Sequence, residues 1–161
     1  MRKNLFMVLA VILSACMFVS CSKDDDAGVA STLTMNGEGI KIKSIEGEYE
    51  PTASFRPFSF WVNDATAANG GVYIQGTLSG KLESLVVGED ITSRLSLLLE
   101  YNSGDEYVSE DDYRSGKLVL QALDLSKKVL TLEFSNLKFI NNLQKEVVLN
   151  GTLTIPYQIL E

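Results

Sequence analysis

Apolar and polar residues alternate along most of this chain beyond residue 30. Successive side chains of a β-strand point to opposite faces of the sheet, so this period predicts strands with one buried face. No segment keeps a helical period over three turns, and residues 82–98 come closest. We therefore predict an all-β fold, an antiparallel β-sandwich or open barrel of about eight to ten short strands. The clearest inward rows are Leu95, Leu97 and Leu99, then Leu130, Leu132 and Phe134, and Val147, Leu149, Leu153 and Ile155.

Turn signals separate these rows. Asn36-Gly37 predicts a tight hairpin, because both residues tolerate positive φ. After this turn, Ile45 is out of phase with Ile40, which predicts a bulge between them. Further turns are predicted at residues 124–128 and 141–142, and loops at residues 64–71 and 102–116.

The first 20 residues have a different character. Arg2 and Lys3 precede an uncharged apolar run, residues 5–15, which is the pattern of a secretory signal peptide. The run is shorter than the roughly 20 residues that a membrane span needs. The charge changes abruptly at Cys21, after which the chain continues Ser-Lys-Asp-Asp-Asp.

A signal peptide that ends at a cysteine resembles the leader of a bacterial lipoprotein. The resemblance implies that this cysteine is lipidated on its thiol and becomes the mature N-terminus, and that several acyl chains then anchor the protein stably to the membrane. The residues before Cys16, Leu-Ser-Ala, fit the usual cleavage motif better than those before Cys21. Cleavage at Cys21 is nevertheless preferred, because cleavage at Cys16 would leave the apolar residues 17–19 on the mature tether.

The sequence Cys-Ser-Lys-Asp-Asp-Asp from Cys21 also resembles the export tag of Bacteroidota lipoproteins, which directs them to the outer cell surface. A solvated acidic linker is the alternative.

The Asn-Gly turn and the segments SGKLVLQALDLSKKVLTLEFSNL and LNGTLTIPY are similar to those of small outer-membrane lipoproteins of the Bacteroidota. The resemblance implies a lipid-anchored all-β protein that faces the cell surface, or else the periplasm, and carries over no catalytic residue. The implied organisation is a signal peptide at residues 1–20, a lipidated cysteine and acidic tether at residues 21–29, and one all-β domain at residues 30–161.

Charge and composition exclude several classes of function. The chain has 14 basic and 21 acidic residues; without Arg2 and Lys3 of the leader, 12 basic residues remain and the net charge is −9. Nucleic acids and anionic lipid surfaces attract basic patches, so neither is predicted as a partner. The chain contains no histidine, which excludes serine–histidine and cysteine–histidine catalysis and removes the commonest zinc ligand. No cofactor is predicted.

Two local patterns are compatible with chemistry but have simpler explanations. Ser135-x-x-Lys138 has the spacing of a nucleophile and its base on a helix, but on a strand an odd spacing sends the two side chains to opposite faces. The acidic residues within the predicted loop at 105–112 are potential calcium ligands, but their spacing differs from that of an EF-hand loop. A solvated acidic loop is favoured, with calcium left open, and no enzymatic activity is predicted.

Aromatic residues are the candidate ligand contacts. In residues 58–62 the even-numbered positions are apolar and predicted to face the core, so Trp61 is predicted to face outward; the alternative is that Trp61 is itself core. Exposed aromatic rings stack on sugar rings or on partner side chains. The candidate binding residues are Trp61, Tyr73, Tyr107 and Tyr113.

These patterns together predict a non-catalytic binding module for an extracellular ligand, with a glycan as one candidate. The alternative is a structural, assembly or adhesion subunit that acts through protein contacts. A binding module predicts a ligand that raises the melting temperature, whereas an assembly subunit predicts capture of a specific membrane partner.

Overall fold

Two sheets pack face to face without closing into a barrel, in a computed structural model that describes residues 31–67, 70–101 and 106–161. This architecture confirms the predicted all-β sandwich. The five-stranded sheet has the order β2-β1-β10-β9-β8 and contains β1 (Thr34–Met35), β2 (Glu38–Gly39), β8 (Tyr113–Asp124), β9 (Val129–Ile140) and β10 (Glu146–Pro156). The six-stranded sheet has the order β11-β3-β4-β5-β6-β7 and contains β3 (Ser44–Tyr49), β4 (Phe58–Ala67), β5 (Gly70–Leu78), β6 (Leu95–Tyr101), β7 (Glu106–Ser109) and β11 (Gln158–Ile159).

The predicted turns form as their residues indicate. Asn36 and Gly37 join β1 to β2 with φ values of +53° and +83°, which confirms the tight hairpin. The β8–β9 turn is held by the Asp124 carboxylate, which accepts hydrogen bonds from Ser126 and Lys127. At the β9–β10 turn, Asn141 Oδ1 accepts two backbone N–H groups of the loop.

Two predicted features are wrong: a bulge in β4 explains one, and a crossover between the sheets explains the other. Within the predicted loop at residues 64–71, the described residues 64–67 and 70–71 are strand: β4 continues to Ala67, and a register shift between Val62 and Ala65 turns Ala65 back into the core. The phase change before Ile45 is a crossover, because β2 belongs to one sheet and β3 to the other. The described residues form eleven strands, and the longest, β8 and β9, have 12 residues each.

The acidic segment predicted as a loop over residues 102–116 also contains regular structure. Glu106–Ser109 is β7, Glu110–Asp112 is a short 3-10 helix, and β8 begins at Tyr113. Asp112 accepts a 2.8 Å hydrogen bond from the Ser109 backbone N–H and caps this helix. Two further 3-10 helices, Leu82–Ser84 and Thr92–Arg94, lie between β5 and β6.

The core lies between the two sheets and is filled by the inward residues of both. On β5 every second residue from Val72 to Leu78 is buried, as the alternation predicts. Phe58 and Phe60 of β4 and Phe134 of β9 are each at most 1% exposed, so rings from both sheets meet in the core.

One edge of the five-stranded sheet is occupied by another part of the chain. At the edge strand β8, the Leu118 N–H donates to Thr92 Oγ1 at 2.7 Å and the Leu118 carbonyl accepts from Ile91 at 2.8 Å. The Leu120 N–H donates to the Glu89 carbonyl, and the Leu120 carbonyl accepts from Gly88. Residues 88–92 therefore pair with the central part of this edge.

Candidate functional site

Trp61 lies on the face of the six-stranded sheet that points away from the core, as predicted; we call this the outer face. Its neighbours Phe60 and Val62 are fully buried, whereas Trp61 is half-buried. In the strand register Trp61 stands opposite Glu46 of β3 and Gln75 of β5. The indole therefore lies between polar residues of the neighbouring strands, outside the core.

Tyr73 shares the outer face with Trp61. It lies two residues before Gln75, which pairs with Trp61, so the two aromatic residues are diagonal neighbours with Cα atoms about 7–8 Å apart. Burial, and then the charge of Glu100 on β6, raise the pKa of Tyr73. The tyrosine is thus a neutral ring with a hydroxyl across the physiological pH range.

A shallow depression of about 310 Å³ lies on the same face, beside Gln75. The polar part of its lining carries hydroxyl, amide, guanidinium and carboxylate groups and consists of Arg56, Gln75, Thr77, Ser96, Ser109, Glu110 and Asp111. Thr77 Oγ1 is buried there and meets no hydrogen-bond partner among the described residues. A ligand group that reached it would satisfy a polar atom that folding leaves unpaired.

A second concave site, the inter-sheet cleft, opens between β6 of one sheet and β8 and β9 of the other. Its volume is about 480 Å³, within the range of about 300–1,000 Å³ that is usual for small-molecule sites. The floor consists of Leu95, Leu97, Leu137 and Phe139. The polar part of the lining consists of Asp90, Thr92, Ser93, Glu110 and Tyr113.

The carboxylate of Asp90 is fixed at the mouth of the inter-sheet cleft. Its Oδ1 accepts the Thr92 hydroxyl at 2.6 Å and the Thr92 N–H at 3.1 Å. The Thr92 hydroxyl in turn accepts the Leu118 N–H, so strand β8 holds the whole unit in place. The hydrogen bond from the Thr92 side chain is the main reason that the pKa of Asp90 is lowered. Asp90 is therefore ionised at neutral pH.

Tyr113 is the one predicted aromatic residue that lines the inter-sheet cleft. Its ring meets Phe139 edge-to-face with centroids 6.2 Å apart, and its hydroxyl donates to the Gly116 carbonyl at 2.9 Å. The side chain is 38% exposed. Two contacts thus hold the ring while part of it stays accessible.

Arg56 and Glu110 separate the two concave sites. Arg56 Nη2 lies 3.2 and 3.3 Å from the two Glu110 carboxylate oxygens, and its guanidinium carbon lies 4.9 Å from the Phe55 ring centroid. Glu110 lines both the depression and the inter-sheet cleft, whereas Arg56 lines only the depression. The two sites therefore adjoin at Glu110, and they also share Leu97.

The four predicted aromatic residues therefore do not form one site. Trp61 and Tyr73 share the outer face, Tyr113 lies at the inter-sheet cleft, and the Tyr107 side chain lies outside the described residues although its backbone pairs with Glu100. Cys21 also lies outside the described residues. Sequence reasoning missed the cleft. Its one local signal is Asp90-Ile91-Thr92, in which the aspartate side chain accepts hydrogen bonds from the residue two positions on.

The prediction that Ser135 and Lys138 point to opposite faces is wrong. Asn136 adopts a φ of +49° between them, and this bulge returns Leu137 to the core, so both Ser135 and Lys138 lie on the outside. Lys138 Nζ is engaged by the Glu146 carboxylate at 2.6 Å. This ion pair ties the Lys138 side chain to β10, so it is not directed at Ser135.

Metal-ligating residues do not cluster in the part of the chain that the structure describes: no three of them meet. In the acidic segment, Glu110 pairs with Arg56 while Asp112 caps a helix, so these carboxylates serve different partners. No helix of the described residues is long and apolar enough to cross a membrane.

Comparison with known proteins gives no relatives. No protein-family model, curated protein or solved structure matches this chain.

Proposed function

We propose that this protein is a lipid-anchored, cell-surface binding module of the outer membrane, and that its outer face binds a neutral glycan without catalysis. The observation that carries the proposal is the half-buried Trp61, placed beside Tyr73 and a depression lined by hydroxyl and amide groups. Aromatic faces stack on the apolar faces of sugar rings, and the surrounding hydroxyl and amide groups suit sugar hydroxyls.

The charge of the outer face supports a neutral ligand over an anionic one. Glu46 and Glu100 flank Trp61 and Tyr73 in the strand register, and the net charge of the chain is −7. Arg56 is the one cation among the described residues that line the depression, and it is already paired with Glu110. An anionic polysaccharide would meet like charges here, whereas a neutral one would not.

Binding of a neutral glycan is expected to change the fluorescence of Trp61, the only tryptophan of the chain. Titration with dextran, laminarin or mannan should shift the emission to shorter wavelength and reduce quenching by acrylamide, because a stacked sugar covers the indole. Trp61→Ala is expected to weaken the binding at least tenfold, and Tyr73→Ala less. Affinity electrophoresis in gels that contain each polysaccharide measures both variants without fluorescence.

Leu143→Ala is the matched control, because Leu143 is 68% exposed in the β9–β10 turn, away from the outer face. Equal retardation of Trp61→Ala and the unsubstituted protein would exclude the outer face as the site. A silent glycan panel together with capture of one specific membrane protein would instead support the assembly function.

Lipidation at Cys21 has its own expected result. Cys21→Ala should leave the protein without lipid and release it from the membrane fraction, whereas Cys16→Ala should change neither property. The measurement is incorporation of an alkyne-labelled fatty acid, followed by fractionation of the cells. The opposite outcome for the two variants would assign the anchor to Cys16.

Surface exposure is tested on the same cells. Protease added to intact cells should remove the anchored protein, with a periplasmic protein as the control for leakage. If the protein is cut only after lysis, the acidic residues after Cys21 are a tether and not an export tag.

A further inference from the structure

We propose that the inter-sheet cleft is a second binding site, independent of the outer face, and that it takes a small amphipathic amine: an apolar body carrying a cationic head. No feature of the glycan proposal is needed for this inference, because Asp90, Tyr113 and Phe139 line the cleft and do not line the depression. Its support comes from shape, charge and ring placement.

The floor of the inter-sheet cleft selects an apolar body. Leu97, Leu137 and Phe139 are each at most 2% exposed and close the bottom, while Leu95 is only partly buried and continues the apolar lining toward the mouth. The cleft has a volume of about 480 Å³ and opens to solvent between the edges of the two sheets, so this gap is not filled by side chains of the protein. A phenyl or short alkyl group would gain the contacts that this gap leaves unmade.

The charges at the mouth select a cationic head. Asp90 and Glu110 line the cleft, and among the described residues no lysine or arginine lines it. Glu110 forms an ion pair with Arg56. Asp90, by contrast, accepts its two hydrogen bonds from the neutral residue Thr92, both at Oδ1. The charge of Lys117 also lowers the pKa of Asp90, but it is the smallest of the causes, and the Lys117 side chain is exposed to solvent. An ammonium group near Asp90 would therefore supply charge that the site lacks, whereas a carboxylate would be repelled.

Tyr113 adds a second preference for a cation. Its ring is oriented by Phe139 and Gly116 and remains 38% exposed at the mouth. A cation within about 6 Å of an aromatic centroid is attracted to the face of the ring. Because the ring is already fixed, a ligand does not have to order it on binding.

The test compares three probes of similar shape with full-length, ¹⁵N-labelled protein in detergent micelles. The probes are 2-phenylethylamine, 2-phenylethanol and 3-phenylpropanoate, and the readout is the shift of the amide resonances with probe concentration. We expect the amine to bind at least tenfold more tightly than the alcohol and the acid. The shifts should centre on Thr92, Leu97 and Phe139.

Asp90→Asn keeps the size of the side chain and an acceptor for Thr92 but removes the charge. Asp90→Asn should weaken amine binding at least tenfold and leave alcohol binding unchanged. The control is Asp111→Asn, which removes a nearby charge outside the cleft and should change amine binding less than twofold. If Asp90→Asn does not fold, Tyr113→Ala tests the same site, because Tyr113 is exposed; Tyr113→Phe should restore most of the lost affinity.

Equal binding of the three probes, or unchanged amine affinity in Asp90→Asn, would overturn the cationic preference. Shifts located elsewhere, or no shift with any probe, would overturn the site itself. Neither result bears on glycan binding at Trp61, which is measured separately.

Discussion

Replacing Gly116 by alanine is expected to lower the free energy of unfolding by roughly 3–4 kcal/mol. Gly116 lies within β8 at a φ of +97°, a backbone conformation that is strained for residues with a side chain. A Cβ atom there would overlap the carbonyl of Asn136 and lie 2.6 Å from the Cα atom of Leu137. Because both obstacles are backbone of the neighbouring strand, no side-chain rotation relieves them and β8 must move away from β9. Urea denaturation followed by circular dichroism measures the loss.

Gly88→Ala separates the two causes. Gly88 also has a positive φ, +89°, but a Cβ atom there meets nothing within 4 Å. This control should therefore lose only the conformational part, about 1–2 kcal/mol. If the two variants lose equal stability, the close approach of β8 and β9 at Gly116 is not a packing constraint.

Gly76→Ala is expected to cost about 3 kcal/mol for a different reason. The φ of Gly76 is not in the positive region, but a Cβ atom on it would run into the ring of Phe60 on the adjacent strand β4. Phe60 is fully buried, so its ring has no free space in which to turn. Thermal and urea unfolding should both report the loss.

A double mutant tests this explanation. In the Gly76→Ala background, Phe60→Leu removes the colliding ring atoms and should cost less than it does alone, with a coupling of at least about 1 kcal/mol. Gly71→Ala is the matched control in the same strand, because a Cβ atom at Gly71 meets nothing within 4 Å. Additive losses in the double mutant would contradict a clash between Gly76 and Phe60.

Local sequence signals were sufficient for the turns and for the direction of the strands. Asn36-Gly37 specifies its turn because the two residues accept positive φ, and Asp124 specifies the β8–β9 turn because its carboxylate binds the following N–H groups. The outward position of Trp61 followed from the buried Phe60 and Val62 on either side of it. Each of these conclusions depends on residues within a few positions of one another.

The errors arose where the chain changes phase. The bulge at Val62–Ala65 shifts the alternation by one residue, so β4 was predicted to end too early. The positive φ of Asn136 has the same effect in β9, so Ser135 and Lys138 were predicted on opposite faces. At Ile45 a similar change of phase marked a crossover between sheets instead. Period alone does not distinguish a bulge from a crossover, because both break the same pattern.

The inter-sheet cleft was not predictable from local pattern. Its apolar floor joins Leu95 and Leu97 of one sheet to Leu137 and Phe139 of the other, and their rows look like ordinary core. A gap between two sheets depends on how far apart they pack at one end, and no short stretch of sequence carries that information. Tyr113 was selected as an exposed aromatic residue, but its neighbours in the site were not.

The pairing of residues 88–92 with β8 limits how this protein can associate through its backbone. Unpaired strand edges are the usual sites at which sheets aggregate or add a strand from another chain. Since Leu118 and Leu120 already exchange hydrogen bonds with residues 88–92, the central part of the longest edge strand offers no free template. A peptide that docks by β-augmentation would therefore be directed to the opposite sheet, where β7 pairs on one side only, with β6.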